Sequence, residues 1–130
     1  MEVSRIWKGR WRMKIAITST TQDPDKQVEQ RFGRAPYFCI YDTETKTWES
    51  LSNEAAENAH GAGVQTAQNL TRKGVKVVLT GSCGPNAFQT LQAAGMDLYT
   101  GIEGTVSQAL ESYQRGSLVK ASQPNAKGSH

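Results

Sequence analysis

The chain has 130 residues, 37% of them apolar and 8% aromatic, which is enough for one ordinary core without covalent staples. No stretch approaches the roughly 18 apolar residues of a membrane helix, and the basic residues 1–12 lack the apolar core of a secretory signal, so a cytoplasmic protein without a membrane anchor is expected. The formal charge of +3 resides in those first twelve residues, where four Lys/Arg face one Glu; residues 13–130 carry 11 basic and 11 acidic groups, and that neutrality points away from a nucleic-acid partner.

The organisation changes at Met13. Lys14-Ile15-Ala16-Ile17-Thr18 reads as a buried strand, and a long polar loop from Ser19 to Pro36 follows, broken by Asp23-Pro24-Asp25. A loop of that length in a small domain is more often functional than not. Tyr37-Phe38-Cys39-Ile40-Tyr41 and Thr47-Trp48-Glu49-Ser50-Leu51 are two strands, and Asp42-Thr43-Glu44-Thr45-Lys46 between them suits a hairpin. After the polar stretch from Ser52 to Ala59, Val64, Ala67 and Leu70 recur at helical spacing, and Gly74 ends that helix.

Val75-Lys76-Val77-Val78-Leu79-Thr80 is a β-branched strand. It leads through a glycine turn to Pro85, which opens a helix carrying Ala87, Phe88, Leu91 and Ala94 on one face. Asp97-Leu98-Tyr99-Thr100 repeats the strand, and Val106, Ala109, Leu110 and Tyr113 repeat the helix up to Gly116. From Ser117 onward the chain is polar. Residues 1–12 are read as a basic extension, 13–117 as one α/β domain and 118–130 as a flexible C-terminal tail.

A three-strand meander followed by two strand-helix crossovers predicts a mixed sheet with helices on its faces. Following strand direction, the 19–36 loop and the start of every helix fall at one sheet edge. Four loops should meet there: Arg31-Phe32-Gly33-Arg34, His60-Gly61-Ala62-Gly63, Gly81-Ser82-Cys83-Gly84-Pro85 and Gly101-Ile102-Glu103-Gly104. Helix starts present unpaired N–H groups and partial positive charge, so three of them can form an anion pocket, with Gly61, Gly63, Gly84 and Gly104 allowing close approach to the backbone.

Arg31 and Arg34 add forked positive donors, as an oxyanion or the outer sulfides of a cluster would need, although a loop arginine is more simply a solvated one. His60 could ligate a metal or donate to an anion, or merely be an exposed histidine at a helix start. Cys83, at the mouth of a helix where thiol pKa values fall, could ligate a metal or simply fill a tight turn. Cys39, inside a strand, reads as a small buried hydrophobe. The two cysteines lie too far apart in sequence for a spaced metal motif.

These motifs, in order and at matching spacing, resemble the dinitrogenase iron-molybdenum cofactor biosynthesis family, whose members include small cofactor carriers and the orange protein of sulfate reducers. The similarity rests on Lys14-Ile15-Ala16-Ile17, Arg31-Phe32-Gly33-Arg34-Ala35-Pro36-Tyr37-Phe38, His60-Gly61-Ala62-Gly63 and Gly81-Ser82-Cys83-Gly84-Pro85-Asn86-Ala87-Phe88. The resemblance implies a ribonuclease H-like α/β fold with sheet order 3-2-1-4-5 and three helices. It also implies a non-catalytic role in binding, carrying or assembling a metal-sulfur cluster, molybdenum with iron or copper, in exchange with donor or acceptor proteins. Members hold metal through a histidine or cysteine, or with no covalent protein ligand, so the expected site is Arg31, Arg34, His60, Gly61, Gly63, Cys83 and Gly84, with His60 and Cys83 as candidate ligands. Among other readings, a nuclease would need clustered carboxylates, which Asp42, Glu49 and Asp97 do not supply. A nucleotide-binding or small-anion regulatory module would use the same glycine turns, but no phosphate-loop motif is present.

Overall fold

The computed structural model describes residues 13–125, so the basic extension 1–12 and residues 126–130 lie outside the described part. Five strands form one sheet in the order β3-β2-β1-β4-β5: β1 (Lys14–Ser19), β2 (Tyr37–Asp42), β3 (Thr47–Ser52), β4 (Val75–Leu79) and β5 (Asp97–Tyr99). β2 runs antiparallel to β1 and to β3, while β1, β4 and β5 are parallel, matching the expected 3-2-1-4-5 topology.

Three helices cover the sheet: α1 (Ala62–Arg72), α2 (Pro85–Ala93) and α3 (Val106–Gln114). A short 3-10 turn at Glu54–Glu57 occupies part of the stretch that sequence left as polar loop. β1 lies at the sheet centre and is buried on both faces, which is why its apolar run does not alternate. Its Ala16 faces Phe38, Ile40, Val78, Leu70 and Phe88 under α1 and α2, whereas Ile15 and Ile17 face Val77, Leu79, Val106 and Leu110 under α3. The result is three layers, with α1 and α2 on one face and α3 on the other.

The hairpin closes as its composition suggests: the Asp42 carboxylate accepts from the N–H groups of Glu44 and Thr45 at 2.9 and 3.3 Å, and Lys46 completes the turn at φ 59°. The C-terminal segment departs from the expected loose tail. Lys120 bridges Tyr99, and the Ala121 N–H donates to the Leu98 carbonyl at 2.7 Å, so the chain runs antiparallel beside β5. Polar composition hid this docking because a strap held by backbone bonds needs no apolar periodicity.

Candidate functional site

The loop between β1 and β2 is stitched down across the C-terminal ends of the parallel strands. Thr18 exchanges bonds with Glu29: Glu29 N–H donates to the Thr18 carbonyl at 3.0 Å and Thr18 Oγ1 donates to the Glu29 carbonyl at 2.6 Å. Further along, Ser82 N–H donates to Gln30 O at 2.6 Å and Phe32 N–H to Ser82 O at 3.0 Å. Val28, Phe32 and Ala35 are buried beneath, and Phe32 packs edge-to-face on Phe38 with ring centroids 5.7 Å apart. The polar-looking loop is therefore fixed by three apolar anchors and a ladder of backbone bonds.

This stitching brings three of the four predicted loops into contact. A Cβ on Gly33 would lie 2.9 Å from both Cα and N of Gly63, and a Cβ on Gly63 would lie 2.9 Å from Cβ of Ala87. The Arg31-to-Arg34 loop thus sits on the start of α1, which sits on the start of α2. Gly63 serves this close packing rather than open access to a ligand, whereas a Cβ at Gly61, in the left-handed region at φ 71°, would meet nothing within 4 Å.

The fourth loop reaches the same edge through Gly101 N–H, which donates to Gly81 O at 3.0 Å, but its helix start is already occupied. Val106 N–H donates to Lys26 O and Ser107 N–H to Pro24 O, at 3.0 and 2.9 Å. Thr105 and Gln108 close a capping box at 3.1 and 2.9 Å. Of the three helix starts expected to be open toward an anion, that of α3, beside Gly104, is therefore already filled. The Thr105-x-x-Gln108 spacing was a readable sign of that capping; the carbonyls of Pro24 and Lys26, some 80 positions earlier in the chain, were not.

α1 and α2 start differently. Gly61 and Gly84 provide no side-chain cap, and Pro85 supplies no N–H in any case. Gln65 N–H and Phe88 N–H donate back to the carbonyls of Gly61 and Gly84, both at 3.0 Å, but among the described residues none accepts from the N–H groups of Ala62, Gly63, Val64, Asn86 or Ala87. These groups carry the partial positive charge of the helix ends.

The charged residues around them divide into committed and open ones. Arg34 Nη1 donates to the carbonyls of Ala56 and Asn58, both at 2.8 Å, which ties the 3-10 turn down just before His60. No described residue accepts from its other guanidinium nitrogens. Arg31 has a side chain 68% exposed and reaches Glu29 Oε2 at 3.4 Å, an ordinary surface pair. His60 is exposed immediately before Gly61.

Cys83 does not behave as a thiol at a helix mouth should. It is 1% exposed within the core cluster containing Phe88 and Leu91, and burial pushes its thiol up to about 12. Desolvation outweighs the helix end because the side chain turns inward. Cys39 is buried on the opposite face, as expected, and its thiol is also pushed up, first by burial. Both thiols are unpaired. Among the described residues no group of three or more His, Cys, Asp or Glu is placed to hold a metal ion.

Sequence reasoning missed Asn125. Its side-chain Oδ1 accepts from Cys83 N–H at 2.8 Å, its Nδ2 donates to Gly81 O at 3.1 Å, and its own N–H donates to Cys83 O at 3.2 Å. A lone polar residue in a polar stretch carries no sequence signal for such a contact.

Sheet order, layers and loop convergence together define a class: a three-layer α/β domain whose crossover loops and helix starts gather at one edge. Within it, the chain belongs to the dinitrogenase iron-molybdenum cofactor family, whose model matches residues 13–116. The apo form of the orange protein from Desulfovibrio gigas is 40% identical, with a TM-score of 0.85 over 88% of this chain and 97% of that one. A NifB candidate from Thermotoga is 38% identical, with a TM-score of 0.79 over 89% of this chain and 99% of that one. An uncharacterized protein of Methanocaldococcus jannaschii is 26% identical over 111 residues, 83% of this chain and 91% of that protein. Among the described residues no helix is long and apolar enough to cross a membrane.

Proposed function

We propose that this chain binds, carries or helps assemble an anionic metal-sulfur cluster, of the iron-molybdenum or molybdenum-copper sulfide type, and is not itself an enzyme. The observation that carries this reading is the meeting of two uncapped helix starts, α1 and α2, beside Arg31, Arg34 and His60. Backbone N–H groups and guanidinium donors suit the outer sulfides of a negative cluster, and family membership narrows which anion to try first.

The proposed contacts are Arg31, Arg34, His60, Gly61, Gly63, Cys83 and Gly84, arranged around those helix starts. Gly63 acts by letting the elements close together, and Gly84 by opening α2. His60 is the better candidate for a metal bond. Burial pushes the Cys83 thiol up to about 12 and so keeps it protonated at neutral pH; ligation through Cys83 would require that burial to open. The donor set therefore favours a cluster held by hydrogen bonds and charge, with at most one protein-metal bond at His60. Two buried, unpaired thiols fit a reducing cytoplasm. Exchange partners would be proteins that supply or accept the cluster.

The test is titration of the full chain with tetrathiomolybdate, alone and with cuprous or ferrous ion, under anaerobic conditions. A stoichiometric visible chromophore is expected, weakened several-fold by His60→Ala or Arg31→Ala. Absence of any chromophore with all three additions, alongside tight binding of a nucleotide in a parallel calorimetric titration, would replace this reading with a small-anion regulatory one.

A further inference from the structure

The segment that follows α3 crosses the end of β5 and finishes on the turn that opens α2. Its hold on the body is mostly polar: the Tyr99–Lys120 bridge, the Ala121-to-Leu98 bond, an exposed Lys120–Asp97 pair at 3.3 Å and the three bonds of Asn125. Apolar burial is confined to two side chains: Leu118 and Ala121 are partly buried against the two core clusters, whereas Val119 is 81% exposed and a groove of about 440 Å³ lined by Phe88, Leu91, Met96 and Leu98 separates the segment from α2. Hydrogen bonds exchanged with water and surface ion pairs contribute little net stability, and ordering eight residues opposes them.

Its terminal contact falls on the candidate site. The carboxamide of Asn125 matches both polarities of the turn, accepting from Cys83 N–H and donating to Gly81 O, so it occupies a donor adjacent to the uncapped start of α2. We propose that residues 118–125 are a releasable strap, latched by Asn125, that closes the Gly81-to-Cys83 turn, and that an anion must displace the latch to engage that turn. The second half of this inference rests on reading the edge as a cluster site; the first half does not. The same N–H cannot serve both acceptors fully, so latch and anion compete. By reciprocity, whatever factor the latch takes from anion affinity, the anion takes from strap docking.

The experiment compares the full wild-type chain with Asn125→Ala, a change at an exposed position outside both cores. Hydrogen exchange of the Cys83 amide and across residues 118–125, read by peptide mass spectrometry, should be at least fivefold faster in the variant, because Asn125 holds that amide and anchors the segment. Tetrathiomolybdate should bind the variant at least threefold more tightly, and its addition to wild type should raise hydrogen exchange across residues 118–125. Unchanged exchange in the variant overturns the latch. Faster exchange with equal tetrathiomolybdate affinity overturns the competition. Faster exchange with no tetrathiomolybdate bound by either protein supports the strap and overturns the cluster reading instead.

Discussion

Gly63→Ala tests whether the starts of α1 and α2 touch as closely as described. The new methyl would sit 2.9 Å from Cβ of Ala87, about an ångström inside ordinary carbon-carbon contact. Overpacking of this kind typically costs about 1–3 kcal/mol, while replacing a helical glycine by alanine returns up to about 1 kcal/mol, so a net destabilisation near 1–2 kcal/mol is expected. Ala87→Gly alone gives up helix propensity and one buried methyl, together about 1.5–2 kcal/mol. In the double variant the methyl of residue 63 occupies the space vacated at residue 87. The two changes should then destabilise by about 1–2 kcal/mol less than their sum. Urea unfolding with constant m-values measures the cycle. Additivity within about 0.5 kcal/mol would mean that the helix starts do not touch, and the convergence of loops at this edge would be wrong.

Three further outcomes follow from the same geometry. Arg34→Ala removes two 2.8 Å bonds to carbonyls and should lower stability by about 1–2 kcal/mol in urea unfolding, whereas Arg31→Ala removes a surface pair and should change it by less than about 0.5 kcal/mol. Thr105→Ala should cost about 1 kcal/mol through the lost cap yet leave tetrathiomolybdate affinity unchanged, since the start of α3 is filled by Lys26 and Pro24. The Cys83 thiol, raised from 9.0 to about 12 on folding, stabilises the fold fully below pH 9, and this contribution is lost as pH climbs from 9 toward 12. Between about pH 8 and 10 the wild type should therefore lose roughly 1 kcal/mol more than Cys83→Ala, a comparison in which the similarly raised Cys39 and Tyr113 cancel.

Much of the architecture was legible because its causes are local. The unbroken apolar run of β1 announces a central strand buried on two faces, the Asp42-to-Lys46 turn announces a hairpin, and Gly74 stops a helix at positive φ. Strand direction then forces the loops to one edge. What escaped reading is side-chain direction within those loops. Periodicity says which way a strand or helix residue faces but says nothing of Cys83 in a turn, which points into the core. Gly63 was legible as a close approach but not as an approach to Ala87, because the partner lies on another helix. Arg34 was legible as a donor but not as one committed to Ala56 and Asn58.

These departures all act in one direction, confining the candidate site. The α3 side of the edge is closed by backbone carbonyls and a capping box, the Gly33–Gly63–Ala87 contact seals the middle, and Cys83 is withdrawn beneath the turn. What stays open are donors: the first N–H groups of α1, beside exposed His60 and Gly61, those of α2, and the remaining nitrogens of Arg34. A set of donors without a carboxylate or thiolate cluster discriminates by charge and shape rather than by metal preference. In the proposed reading, it would accept closely related anionic clusters of different metals, and affinity would fall steeply with added salt. A protein that coordinated its cargo through a fixed ligand set would instead show strong metal selectivity and little salt dependence. Binding of tetrathiomolybdate and its tungsten counterpart at low and high ionic strength separates the two.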